Sequence, residues 1–310
     1  MNGDLPVTVL VAAKNEEVNI GKCLSSLRPA TRVIVLDSNS QDRTPEIARQ
    51  YGAEVVEFHY HGGYPKKRQW GLDTLPISTE WVLLLDADET IPRLLWDEIG
   101  ETIKSPGAAD AYFIIKGFHF LNRRFRFGAF SFAAVLLFRK GTARFERLYA
   151  DHPDSLDMEV HERLIVNGTV GRLQTPLIHE DFKGLAAYID RHNQYSTWEA
   201  RLRYQYGQTG RWGTDSIDAR LFGNSQERRR FLKMLVMRLP FEAAVWFLYH
   251  YIIRLGFLEG RPGWIASRLR ANYVADIRAK LYELRAMGGG NSGAPCIADP
   301  AERTSYPDRP

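Results

Sequence analysis

The chain opens on a repeating rhythm: a short apolar run, a polar turn, then a stretch whose apolar residues recur every three or four positions. Residues 7–13 (VTVLVAA) are almost wholly apolar and are closed by Lys14. A run this short, bounded by charge, predicts a buried strand. Residues 18–27 place Ile20, Leu24 and Leu27 on one face of a helix. Residues 32–36 predict a second strand, followed by a polar turn and a helix over 45–51; residues 54–58 and 81–85 predict a third and a fourth strand. Strands alternating with short helices imply βαβ units, and so a mostly parallel α/β sheet with helices on both faces. Ligands bind outside the carboxyl ends of such strands, so chemistry is expected in the polar residues that follow each one.

The pattern then changes. Residues 112–138 alternate and are rich in Phe and Arg, which predicts strands extending the sheet around an Arg-rich loop at 122–126. Residues 183–206 predict a helix, the Gly-rich polar stretch 207–224 a mobile loop, and 226–287 helices bearing many aromatics. From Gly288 onward the chain is rich in Gly, Pro and Ser, the composition of a disordered tail. The expected division is an α/β domain over 1–222, a helical appendage over 223–287 and a tail over 288–310. No internal repeat is present.

A length of 310 residues allows one large domain with an appendage and a substantial core. With 45% hydrophobic and 25% charged residues the chain is neither disordered nor fibrous. A net charge of +4 suits an anionic partner, and equally a solvated surface with a small Arg excess. Cys23 and Cys296 offer neither a disulfide framework nor zinc spacing, as expected in a reducing cytoplasm. No secretory signal pattern opens the chain, and no run reaches the roughly 18 uncharged apolar residues of a spanning helix.

The fourth strand ends in Asp86-Ala87-Asp88-Glu89. Positions i and i+2 at a strand end point the same way, so Asp86 and Asp88 face one point beyond the sheet. Carboxylates this close repel unless a cation or proton lies between them. Mg²⁺ or Mn²⁺, held together with diphosphate oxygens, would relieve the repulsion and neutralise a departing nucleoside diphosphate. The plainer reading is a solvated turn in which Asp88 or Glu89 caps a helix starting near Pro92. The second strand likewise ends in Asp37-Ser38-Asn39-Ser40-Gln41-Asp42, where Asp37 can accept a base N–H or ribose hydroxyl and Ser40 or Asp42 suits a helix cap. Lys66, Lys67 and Arg68 are either phosphate partners or a solvated helix start. His179, in Ile178-His179-Glu180-Asp181, is either a metal or phosphate contact or a structural ring.

In order and spacing, Val11-Ala12-Ala13-Lys14-Asn15-Glu16-Glu17, Asp37-Ser38-Asn39-Ser40-Gln41-Asp42 and Asp86-Ala87-Asp88-Glu89 together resemble the family-2 glycosyltransferases of GT-A (Rossmann-like) fold. More narrowly, they resemble the branch containing lipopolysaccharide core β-glucosyltransferases. Lys66-Lys67-Arg68-Gln69-Trp70-Gly71-Leu72 and His161-Glu162 belong to the same resemblance, which covers residues 5–200 and, more loosely, 240–285. The chain departs from many members at Asp37-Ser38, where they carry two adjacent Asp, so a uracil contact rests on Asp37 alone. The resemblance implies an inverting, metal-dependent transfer of a hexose from a nucleoside-diphosphate sugar, with UDP as the nucleotide. The acceptor would be a glycolipid or lipopolysaccharide core, at the cytoplasmic face of a bacterial membrane. It implies that Ala13, Glu16 and Asp37 line the nucleotide pocket and that Arg68 approaches base or diphosphate. Asp86 would belong to the sugar-nucleotide contacts and Asp88 to the metal.

Inversion also needs a base for the acceptor hydroxyl. Within residues 157–164, Glu162 matches the family's base-bearing motif best, with Glu159 as the alternative. The plainer reading of Glu162 is a surface ion pair with Arg163 or Arg139. Two rival functions are a nucleotidyltransferase and a non-catalytic, membrane-associated scaffold of the same fold. The first would carry a Gly-rich phosphate loop where Lys14-Asn15-Glu16-Glu17 stands. No nucleic-acid partner is expected. Residues 231–264 are strongly apolar but punctuated by Lys233, Arg238, Pro240, Glu242, His250 and Arg254. That mixture suits helices lying in a headgroup zone, or a helical layer packed on the domain or on a second copy.

Overall fold

The computed structural model describes residues 5–148, 157, 159, 162–180, 183–223 and 225–287; the predicted tail, His161 and Asp181 lie outside the described residues. The first half runs β1 (Leu5–Ala13), α1 (Ile20–Ser25), β2 (Ala30–Asp37), α2 (Thr44–Gln50), β3 (Glu54–Glu57), α3 (Lys67–Thr74), β4 (Trp81–Asp86), β5 (Glu89–Thr90) and α4 (Arg93–Lys104). Next come β6 (Ala111–Phe120), β7 (Arg123–Arg124), β8 (Phe132–Arg139), β9 (Ala143–Phe145), β10 (Leu164–Val166), β11 (Val170–Arg172) and β12 (Leu177–His179). Four helices follow: α5 (Gly184–Thr209), α6 (Ser225–Met237), α7 (Glu242–Leu248) and α8 (Gly260–Ala286). Between α7 and α8 lie a π turn at Tyr249–Ile253 and a 3-10 turn at Gly256–Glu259.

The main sheet has the order β3-β2-β1-β4-β8-β6-β12-β5. The four strands predicted from the apolar runs are its parallel half. Val9, Leu10, Val11 and Leu83, Leu84, Leu85 are buried on both faces, which is why these strands read as continuous apolar runs. β8 is antiparallel to β4 and β6, while β12 runs parallel to β6 and antiparallel to β5. The chain moves outward from β1 to β3 and then returns past β1 to β4. Right-handed crossovers therefore put α1 and α2 on one face and α3 on the other. A carbon added at Gly71 of α3 would stand 2.7 Å from Leu36 Cδ1, so glycine lets α3 settle this close to β2. This is the expected Rossmann-like, GT-A architecture with a helical region after it.

Two expectations are corrected. The Arg-rich segment at 122–126 is not simply a loop, because β7 turns back onto β6 and pairs Arg124 with His119. Nor is 207–224 a loose loop throughout: α5 extends through Thr209, and residues 212–217 are anchored by groups the polar composition conceals. Trp212 is buried and stacks on Tyr206 at 4.5 Å between ring centroids, and Asp215 bridges to Arg147. The Ile217 N–H donates to the buried Glu146 carboxylate at 2.6 Å.

The helical layer includes α5, on the N-terminal side of the expected 222/223 border. Ala200 of α5 packs with Tyr273, Val274 and Ile277 of α8. Beside them the Arg203 guanidinium donates to Glu199 and Glu242, and the Tyr273 hydroxyl donates to Glu199 at 2.9 Å. These charges are buried, and each has an opposite partner, as burial requires.

Candidate active site

The strand ends stand side by side. Ala13 of β1 is in register with Asp37 of β2, and Ala12 with Asp86 of β4. The turns after β1 and β2 are sewn together. The Asn15 N–H donates to Ser40 Oγ at 2.8 Å, the Gln41 N–H to Asn15 Oδ1 at 2.7 Å and the Glu16 N–H to Thr44 Oγ1 at 2.7 Å. The Asp37 carboxylate accepts the Ser40 N–H at 2.9 Å and the Ser40 hydroxyl at 2.5 Å, fixing the turn after β2. Asp42 accepts the Thr44 N–H at 3.0 Å, but the cap position of α2 is Arg43, so neither Ser40 nor Asp42 is the cap residue expected. Glu16 reaches Lys183 at 2.5 Å and Asn19 at 2.7 Å; burial raises its pKa in spite of the Lys183 ammonium.

Beyond β4 the two aspartates have unlike surroundings. One Asp86 oxygen pairs with the Arg68 guanidinium and the other lies 2.9 Å from Lys116 Nζ. Lys116 is also 2.7 Å from Glu89, whose carboxylate accepts the Asp86 N–H at 2.9 Å. Burial opposes ionisation of Asp86, but Arg68 and Lys116 outweigh it and hold the carboxyl far below the ordinary range. Asp88 has one oxygen 3.2 Å from His179 Nε2, and its other oxygen, Oδ1, is buried without a hydrogen-bond partner among the described residues. Desolvation disfavours a charged His179 ring, yet Asp88 pushes its pKa up to about 9. Neither Asp88 nor Glu89 caps α4, which begins after Pro92 without a side-chain cap.

Among the described residues no three His, Cys, Asp or Glu side chains converge on one point. The expected trio of Asp86, Asp88 and His179 is therefore not a closed metal cage, since Arg68 and Lys116 already occupy both oxygens of Asp86. A divalent cation still fits at Asp88. A hard ion needs only one or two carboxylates when phosphates and waters complete its shell, and Asp88 Oδ1 is an anionic oxygen with no donor among the described residues.

The basic helix start is not solvated: Lys66, Lys67 and Arg68 are 3%, 1% and 8% exposed. Glu159 makes this possible by capping α3, accepting the Arg68 N–H at 3.2 Å and the Gln69 N–H at 3.0 Å. A carboxylate there also suits the positive end of the helix dipole. Arg68 Nη1 donates to the Glu159 carbonyl at 3.0 Å, which aims the guanidinium at Asp86. Lys67 Nζ donates to the Ala13 carbonyl at 3.0 Å. Lys66 Nζ lies 2.5 Å from Glu162 and 4.8 Å over the Trp198 ring of α5. Glu162 is thus in a buried pair with Lys66, not a surface pair with Arg163 or Arg139; Arg139 instead pairs with Glu80. Glu162 shares a small cleft with Tyr64, Lys66, Arg147 and Glu159.

Residues 8–148 match the sequence pattern of the family described as Glycosyl transferase family 2. The chain is 25% identical over 295 residues to the lipopolysaccharide core biosynthesis glycosyltransferase LpsC of Rhizobium meliloti, covering 91% of this chain and 94% of that protein. An uncharacterized glycosyltransferase of Rickettsia conorii is 25% identical over 268 residues, 84% of each chain. Among solved structures, glucosyl-3-phosphoglycerate synthase from Mycobacterium tuberculosis, in complex with Mn²⁺, UDP and glucosyl-3-phosphoglycerate, is 26% identical with a TM-score of 0.29, over 36% of this chain and 43% of that one. This chain carries a family-2 glycosyltransferase domain.

In this glycosyltransferase the site contains a residue that the motifs do not name. Lys116 enters from β6, two strands away from β4, and stands between Asp86 and Glu89. Its signal in the sequence is a lone lysine within AYFIIKGFHF, an otherwise apolar and aromatic strand. Lys116→Met should leave the buried Glu89 and the partly buried Asp86 short of their common counter-ion. Breaking a buried pair in this way costs about 3–5 kcal/mol, measurable by urea unfolding. A loss below about 1 kcal/mol, the range of surface pairs, would show that Lys116 is not their structural counter-ion.

Proposed function

We propose that this glycosyltransferase moves a hexose from a nucleoside-diphosphate sugar, with UDP as the nucleotide, to a lipopolysaccharide-core or other glycolipid acceptor. The transfer inverts to a β-linkage at the cytoplasmic face of a bacterial membrane. The observation that carries this reading is the buried Asp88 Oδ1 at the end of β4, without a donor among the described residues, beside an Asp86 already neutralised by Arg68 and Lys116. Asp88, backed by His179, would hold Mg²⁺ or Mn²⁺; when bound, the ion neutralises charge on the leaving diphosphate. Ala13, Glu16 and Asp37 border the nucleotide, and the Arg68–Asp86 pair faces its diphosphate and sugar.

Glu162 takes the proton of the acceptor hydroxyl as that oxygen attacks C1 opposite the diphosphate. Glu159 is occupied in capping α3, which favours Glu162 for this role. Similarity to LpsC over 91% of the chain supports a lipopolysaccharide-core acceptor. No helix among the described residues is long and apolar enough to cross a membrane. Exposed Leu235, Phe241 and Ile253, at 54%, 74% and 68%, support a helical region over 223–287 that rests on the membrane surface beside the catalytic domain at 1–222.

A thermal-shift panel of UDP-, GDP-, ADP- and dTDP-sugars, each with Mn²⁺ or Mg²⁺, tests the donor. At about 100 times its dissociation constant, a UDP-hexose with metal should stabilise the protein by roughly 2.7 kcal/mol. Stabilisation by another nucleotide alone would change the donor. No response to any nucleotide sugar would favour the non-catalytic scaffold.

A further inference from the structure

The exposed apolar and basic surface extends beyond the helical region. Residues 121–132 read LNRRFRFGAFSF and contain no acidic side chain. Leu121, Phe127 and Phe132 are 47%, 39% and 47% exposed, and Arg123, Arg124 and Arg126 are exposed beside them. This segment is bolted to the turns between α7 and α8, far along the chain. The buried Glu259 carboxylate accepts the Arg126 and Phe127 N–H groups at 2.6 and 2.8 Å and pairs with Arg123 at 3.1 Å. The Gly128 N–H donates to the Arg254 carbonyl at 2.7 Å, and His250 Nδ1–H donates to the Gly128 carbonyl at 2.6 Å. The Phe130 and His250 rings stack at 4.7 Å. Next to this joint Ile252, Ile253 and Phe257 are 49%, 68% and 43% exposed. Two distant stretches of chain thus present one rim of aromatic, aliphatic and arginine side chains.

We propose that the segment 121–132 is part of the seat on an anionic bilayer, a proposal that rests on the membrane reading above. Charge decides the occupant. The acids of residues 225–264 are Glu227, Glu242 and Glu259, and the last two are buried in ion pairs, so they lend the rim no outward negative charge. A symmetric contact with a second copy would set arginine against arginine, whereas anionic headgroups meet the arginines while the rings enter the acyl boundary. The seat also lies near the chemistry. Lys116 and Leu121 are five residues apart, about 17 Å at the rise of a strand. A lipid-anchored acceptor can therefore stay in the bilayer while its outer sugars reach the strand ends.

Each basic residue near an anionic surface contributes about fivefold in binding. The full chain should sediment with phosphatidylglycerol–phosphatidylethanolamine vesicles at low salt. Arg124→Ser with Arg126→Ser should weaken that binding about 25-fold, and adding Phe127→Ser should weaken it further. These changes spare the backbone N–H groups that Glu259 holds, so the melting temperature and the nucleotide response should not move. If the parent binds vesicles and the triple variant binds equally well, this segment is not part of the seat, although the membrane reading stands. If the parent ignores vesicles at low salt, both readings fail. Conversion of a dimer to a monomer by the triple variant would assign the rim to a second copy and overturn the proposal.

Discussion

Replacing Glu162 with Gln should lower turnover by about 10²-fold or more while leaving donor affinity nearly unchanged. Glutamine keeps the shape, and its carbonyl oxygen still accepts from Lys66 Nζ, 2.5 Å from the carboxylate it replaces. It cannot take up a proton. The substitution also leaves the buried Lys66 without its anionic partner, so some loss of stability is expected alongside the kinetic loss; the Trp198 ring below the ammonium offsets part of it. Single-turnover rates measured beside donor titrations separate these effects, because a purely structural defect would weaken both. Glu159→Gln is the comparator. Its amide has one carbonyl oxygen to serve the two α3 N–H groups that the carboxylate now holds, so its main effect should be on stability, about 1 kcal/mol. A large kinetic loss from Glu159→Gln, with little from Glu162→Gln, would transfer the base assignment.

The parallel half of the sheet was legible because β1, β2 and β4 are buried on both faces and therefore appear as bare apolar runs. Once they pair in parallel, the turns after them must come together, and the register sets Ala13 beside Asp37 and Ala12 beside Asp86. The unlike surroundings of Asp86 and Asp88 were not legible from their spacing. They depend on Lys116, 30 positions away on a strand reached only across β8, and periodicity carries no information about such pairing. The role of Glu159 was hidden for the same reason, since the helix it caps lies 91 positions earlier. The choice between phosphate partners and a solvated helix start stayed open for Lys66-Lys67-Arg68 because their counter-charges are spread among Glu162, Asp157 and Asp86. Composition misled over 212–217, where the buried Trp212 and the distant Glu146 outweigh a Gly-rich, polar stretch.

Asp88→Asn should abolish the metal-dependent part of nucleotide binding and preserve the fold. Asparagine fills the same space at the end of β4 but removes the anionic charge that a hard cation requires. In the parent, Mn²⁺ should tighten UDP binding; in the variant, titrations with and without Mn²⁺ should coincide. The roughly 2.7 kcal/mol of stabilisation expected near 100 times the dissociation constant should then shrink to what UDP gives alone. His179 supplies a second readout that needs no ligand. Its partner Asp88 pushes its pKa from an ordinary 6.5 up to about 9, so the charged pair contributes stability that is fully present below about 6.5. That contribution should disappear as pH rises through about 9. In Asp88→Asn the raised pKa should fall, since desolvation favours the neutral ring and Asp88, more than Glu89, opposes it, and this part of the pH dependence should flatten. An NMR titration of His179 follows the change directly. Unaltered Mn²⁺-dependent affinity in a variant whose His179 titration has moved would show that Asp88 holds the imidazolium but not the metal. The cation would then have to be sought among the diphosphate oxygens and Asp86, and Lys116 would have to give way for it.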